Sequence, residues 1–151
     1  DVAAQAMSRT NGAPARDDHA RLLPGATVRV GDVCDPASLA RDGFRGERFD
    51  ALVSCMASRT GAPRDAWAID HDAHVHALAA ARTAGVSHVV LLSAICVQKP
   101  RLAFQHAKLA FEKALMASGV RCSIVRKMTF STNRPKMMTV RSPANTSGIL
   151  S

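Results

Sequence analysis

The stretch Ser87-His88-Val89-Val90-Leu91-Leu92-Ser93-Ala94-Ile95 decides the fold. It is short and nearly all apolar, as in a strand covered on both faces by other elements. After it, Leu102 to Ser118 places Leu102, Phe104, Leu109, Phe111 and Leu115 at helical spacing, and Gly119 ends the run. Val120 to Val125 then reads as a further strand. Before it, Ala66 to Ala84 carries Trp67, Ala73, Ala77, Leu78 and Ala81 with a helical period, closed by Gly85. Phe49 to Met56 (FDALVSCM) is a second apolar run that reads as a strand covered on both faces. Asp35-Pro36 opens a short helix, with Asp35 as N-cap and Pro36 at the first helical position. Thr27 to Asp32 alternates like a strand, and Val2 to Met7 reads as the end of another, running into the turn cluster Ser8 to Gly12.

The order is strand, strand, short helix, strand, long helix, strand, long helix, strand. It predicts an α/β fold, a Rossmann-type parallel sheet flanked by helices on both faces. Such sheets bind ligands at the carboxyl ends of their strands. A dinucleotide site also needs a glycine-rich turn after the first strand, where backbone N–H groups at a helix N-terminus meet the pyrophosphate. The nine glycines here stand singly. The expectation is therefore a truncated domain whose first strand and glycine-rich turn are missing. Residues 1–126 read as a partial NAD(P)-binding domain. Residues 127–151 show neither period and read as an irregular basic tail.

The 151 residues suffice for one domain, and no run approaches the ~18 apolar residues of a membrane span. Residues 121–151 carry Arg121, Arg126, Lys127, Arg134, Lys136 and Arg141 and no acid, so most of the net charge of +8 lies there. A near-neutral body with no Tyr and one Trp argues against nucleic acid as a partner. Cys34, Cys55, Cys96 and Cys122 are far apart and read as small buried thiols. In Asp70-His71-Asp72-Ala73-His74-Val75-His76 the histidines spread around the helix, which suits a solvated face and no metal site.

Several residues stand where the later parts of a nucleotide site belong. Arg9 follows the first apolar run, where a cation could meet the 2′-phosphate of NADP. Asp32-Val33 ends the next strand, where a carboxylate can reach the adenine amino group. Ala57-Ser58 ends the third strand, where small residues let a cofactor lie close. Phe104 and Lys108 share one face of a helix, one turn apart. Each also has an ordinary reading: a turn arginine, a strand-end cap, a small packing residue, a lysine on an amphipathic helix.

Residues 31–126 resemble the divinyl chlorophyllide a 8-vinyl-reductase family of the atypical short-chain dehydrogenases. The segments that carry the resemblance are GDVCDPASL (31–39), VSCMASRTGAPRDAWAIDHDA (53–73), HVVLLSAICVQKP (88–100) and FQHAKLAFEKAL (104–115). The resemblance implies an NADPH-dependent oxidoreductase that reduces the 8-vinyl group of divinyl chlorophyllide or protochlorophyllide to ethyl. It implies a chloroplast location in an alga or plant, or the cytoplasm of a photosynthetic bacterium, and no oligomeric state. It sets Arg9 near the 2′-phosphate, Asp32 and Val33 at the adenine, and Ala57 and Ser58 along the cofactor. Ser93 takes the active-site serine position. Lys108 takes the place of the lysine that holds the nicotinamide ribose, and Phe104 stands where the superfamily keeps a tyrosine. The alternative is a non-catalytic NADP-binding regulator of the same superfamily, which also lacks that tyrosine. The resemblance ends at Arg126, where Lys127-Met128-Thr129-Phe130 replaces the expected continuation.

Overall fold

Two hydrogen-bonded sheets carry the strands of the computed structural model, which describes residues 5–8, 27–95, 97–128 and 136–141. Strands β1 (Gln5–Ser8) and β2 (Thr27–Val30) form one parallel pair. The other sheet runs β3 (Ala51–Ser54), β4 (His88–Ser93), β5 (Arg121–Met128) and β6 (Lys136–Arg141), in that order. Its first three strands are parallel, with Val53 opposite Val90 and Val90 opposite Ser123.

Asp35 caps helix α1 (Pro36–Ser38) as expected, its carboxylate accepting the Ala37 N–H, and a π-helical turn (Leu39–Phe44) continues it. Helix α2 (Pro63–Ala66), a π-helical turn (Trp67–Asp72) and helix α3 (Ala73–Thr83) form one continuous rod between β3 and β4. Gly85 ends it with φ at 78°, a left-handed conformation natural to glycine. The Val86 N–H bonds to Ala81 O and the Gly85 N–H to Arg82 O, a Schellman cap. That cap turns Val86 back onto Ala81 inside the core. Helix α4 (Ala103–Ala117) connects β4 to β5.

Leu78, Ala81, Phe111 and Leu115 of these helices pack on Val89, Leu91, Cys122 and Ile124 of the sheet. Burying one such large side chain stabilises the fold by ~1.5–3 kcal/mol. Both long helices therefore lie on the same face. The sequence reading put helices on both faces, and the reason for the difference is topological. Right-handed crossovers that advance in one direction across a parallel sheet place their helices on one side. β3 to β4 and β4 to β5 advance together. The opposite face stays open among the described residues, with Val53 64% and Leu92 39% exposed. Among the described residues FDALVSCM is accordingly covered on one face only, and its strand is an edge.

Of residues 127–151, read as an irregular tail, 127–128 and 136–141 are described, and these lie in strands. β5 continues to Met128, and β6 pairs with it antiparallel, Ile124 opposite Val140 and Met128 opposite Lys136. Lys136-Met137-Met138-Thr139-Val140-Arg141 alternates poorly, so side-chain period gave no signal. The ladder itself holds the strand, because it pairs backbone groups on the outer edge of β5.

Candidate active site

β3 and β4 end side by side, and the chain leaving each strand lines a cavity of about 260 Å³. Cys55, Met56, Ala57 and Ser58 come from the exit of β3, and Ser93 and Ala94 from that of β4. Phe104 and Lys108 enter from the first turns of α4, and Asp70 from the π-helical turn. This is the carboxyl end of parallel strands, where α/β sheets bind ligands. A wider open groove of about 490 Å³, between Trp67 and His106, contains none of the residues expected in a nucleotide site.

Lys108 is only 4% exposed, and Asp70 only 1%. The Lys108 ammonium donates to Met56 O at 2.8 Å and lies 3.0 Å from Asp70 Oδ1, an ion pair off the hydrogen-bond direction. Asp70 Oδ2 accepts from Ser58 N at 3.2 Å and from Ser58 Oγ at 2.5 Å. Removing two charges from water costs several kcal/mol each, which their attraction offsets only with good geometry and further hydrogen bonds. Ser58 and Met56 supply those bonds. They also pin the loop after β3 to the ammonium. An ammonium has three protons, so donor capacity remains on Lys108 for a ligand in the cavity.

Glu112, one turn beyond Lys108, is fully buried. Ser93 Oγ donates to Glu112 Oε1 at 2.5 Å. Arg126 grips the same carboxylate with two nitrogens, Nε to Oε1 at 3.2 Å and Nη2 to Oε2. The sheet makes this possible, because Arg126 sits directly opposite Ser93 in the β4–β5 ladder.

His74 is buried against the Phe111 ring, centroids 4.7 Å apart, with Nδ1 2.8 Å from Ile69 O. A carbonyl only accepts, so Nδ1 carries the proton. Burial first, and then the nearby Lys108 charge, push its pKa down to about 4 from an ordinary value near 6.5. The unfolded chain therefore binds more protons between those values. The stability gained by keeping His74 neutral is complete above about pH 6.5 and is lost as pH falls toward 4. The total is about 3 kcal/mol. Urea unfolding followed from pH 7 to pH 4 should show this decline, and His74→Phe should flatten it. An unchanged slope in His74→Phe would place the proton uptake elsewhere.

The structure brings Ala57, Ser58, Ser93, Phe104 and Lys108 together in one cavity. Asp32 and Val33 follow β2 in the other sheet and are not in its lining. Asp32 Oδ1 accepts from Cys34 N at 2.9 Å, and the Val33 side chain is buried. Arg9 lies outside the described residues. Sequence reasoning missed Asp70, Glu112 and Arg126. It took residues 70–76 for a solvated face, yet Asp70 and His74 are buried, because they fall on the same helical face as Ile69, Ala73, Ala77 and Leu78. For Asp70 a signal was available, since it stands three and seven residues before Ala73 and Ala77 on the apolar stripe of the helix; its pairing with Lys108 is not encoded by spacing. The thiols were read as buried, yet among the described ones only Cys122 is buried; Cys34 is half-buried and Cys55 is exposed at the cavity. Cys96 lies outside the described residues.

The model of the NAD(P)H-binding family matches residues 1–148. The divinyl chlorophyllide a 8-vinyl-reductase, chloroplastic, of Zea mays is 45% identical over 132 residues, covering 87% of this chain and 32% of that protein. The chain thus spans about a third of the length of the curated relatives it matches. Among solved structures, the Bordetella bronchiseptica enzyme WbmG in complex with NAD superposes with a TM-score of 0.67 at 20% identity, over 81% of this chain and 44% of that one. The triphenylmethane reductase of Citrobacter sp. complexed with NADP(H) gives 0.60 at 21% identity, over 84% of this chain and 40% of that one. These likenesses are of fold, and they agree with the Rossmann-type sheet.

Proposed function

This chain belongs to the NAD(P)H-binding family, and from that premise we propose that it supplies the later half of the nucleotide site of an NADPH-dependent 8-vinyl-reductase. The substrate is divinyl chlorophyllide or protochlorophyllide, and the place of action is the chloroplast named for the Zea mays relative. The observation that carries the reading is Lys108, its ammonium fixed between Met56 O and Asp70 at the carboxyl ends of parallel strands, with Phe104 one turn before it. The residues present fit half of a dinucleotide. Lys108 would hold the nicotinamide ribose, Ala57, Ser58 and Ala94 leave room beside it, and Asp32 with Val33 would meet the adenine. The glycine turn for the pyrophosphate is not in this sequence. Residues 1–126 form this partial domain.

When bound, NADPH supplies a hydride. Hydride added to one vinyl carbon leaves negative charge in the conjugated macrocycle, and the other vinyl carbon takes a proton, giving ethyl. No alkoxide forms, so no phenol need protonate one. Phe104 instead presents an apolar wall, with Leu92 and Met56 in the same lining.

The test is a chimera in which the matched segment of this chain replaces that of the Zea mays enzyme. It should reduce divinyl chlorophyllide with NADPH. A folded chimera that binds NADPH without turnover would favour the non-catalytic regulator instead.

Arg9 gives a further expected result. An arginine–phosphate contact is charge-assisted and often bidentate. In the chimera, Arg9→Ala should raise the Kd for NADPH by roughly 10–100-fold and leave that for NADH unchanged. Equal losses for both cofactors would move Arg9 out of the site.

A further inference from the structure

Ser93 is the one hydroxyl at the exit of β4 in the cavity lining, and the structure determines which way its proton points. Glu112 is 0% exposed, and Arg126 holds both its oxygens in a fork. A carboxylate gripped by a guanidinium is an acceptor only. The 2.5 Å contact from Ser93 Oγ therefore spends the hydroxyl proton on Glu112. What the Ser93 oxygen has left, with its residue in the cavity lining, is its lone pairs.

We propose that Glu112, clamped by Arg126, is a positioning residue that commits the Ser93 proton and makes Ser93 a hydrogen-bond acceptor toward the bound ligand. The ligand group that meets Ser93 then carries an N–H or O–H, and Ser93 is not the source of the proton taken up by the substrate. This rests on the nucleotide and substrate reading of the cavity. Two features make the arrangement more than packing. Ser93 and Arg126 are register partners on adjacent strands, so the sheet fixes their separation. Lys108 and Glu112 are one turn apart on α4, so the same helix carries the cofactor lysine and the anchor for the serine.

The test is a double-mutant cycle read in two settings. In the 151-residue chain, urea unfolding is measured for Ser93→Ala, Glu112→Gln and the pair. Glu112→Gln should lower the folding constant by roughly 5-fold less when Ser93 is already alanine. If Glu112→Gln does not fold, Glu112→Gln combined with Arg126→Gln removes the unpaired guanidinium and takes its place. In the chimera, each single variant should lower kcat/KM by ~10-fold, and the pair by no more than Ser93→Ala alone. A purely structural Glu112 would instead give losses that multiply, and that result overturns the proposal. An inactive parent chimera overturns the reductase reading and the proposal that rests on it together. With an active chimera, strict additivity in the urea cycle overturns the positioning alone.

Discussion

Lys108→Ala is expected to lower kcat/KM of the chimeric reductase by ~100–1,000-fold, the loss typical of a positioned donor in a preorganised site. Phe104→Tyr should change it by less than about 3-fold, because a phenol has no alkoxide to serve. Lys108 and Asp70 are both buried and in ion-pair contact at 3.0 Å, so removing the lysine alone leaves an uncompensated carboxylate. That alone can destabilise a protein by ~3–5 kcal/mol. Lys108→Met with Asp70→Asn removes both charges at similar volume and separates the two effects. If this pair folds and remains inactive, the ammonium acts on the ligand. Equal losses from Lys108→Ala and Phe104→Tyr would contradict the assignment.

The second large effect concerns the 151-residue chain by itself. It should bind NADPH at least ~100-fold more weakly than the chimera, equivalent to ~2.7 kcal/mol or more, and should reduce no divinyl chlorophyllide. The sequence has no glycine-rich turn, so the pyrophosphate lacks its backbone donors and helix N-terminus. The sheet is also divided. Among the described residues, β1–β2 and β3–β6 share no hydrogen-bonded strand pair, and Val53 on β3 stands 64% exposed. In a 3-2-1-4-5-6 sheet the first strand joins the two halves, and such a strand would pair between β1 and β3. Calorimetric titration of the purified chain measures the affinity. Micromolar binding would refute the half-site reading.

Most of this was legible in residues 27–126, for physical reasons. SHVVLLSAI, Asp35-Pro36 and the Gly85 cap each encode their structure locally, in apolar runs, an N-cap and a left-handed turn. Ala57, Ser58 and the Phe104–Lys108 pair could be singled out because strand ends and one helical turn are short-range features, whereas Ser93 entered only through the family resemblance. What escaped depends on pairings across the chain. The Lys108–Asp70 contact joins two helical segments 38 positions apart, and Glu112–Arg126 joins a helix to a strand. Asp70 lies on the same buried face as Ile69, Ala73 and Ala77, so its burial was within reach of the helical period, while its partner Lys108 was not. β6 was invisible because its backbone, not its side-chain pattern, pairs it to β5. The one-sided helices follow from strand order, which no local pattern encodes.

The most direct measurement is the absorbance change of divinyl chlorophyllide incubated with NADPH and the chimera carrying this chain's matched segment. NADPH-dependent conversion to the 8-ethyl pigment is expected, abolished by Lys108→Met with Asp70→Asn. A folded chimera that binds NADPH and leaves the divinyl pigment unchanged would contradict it.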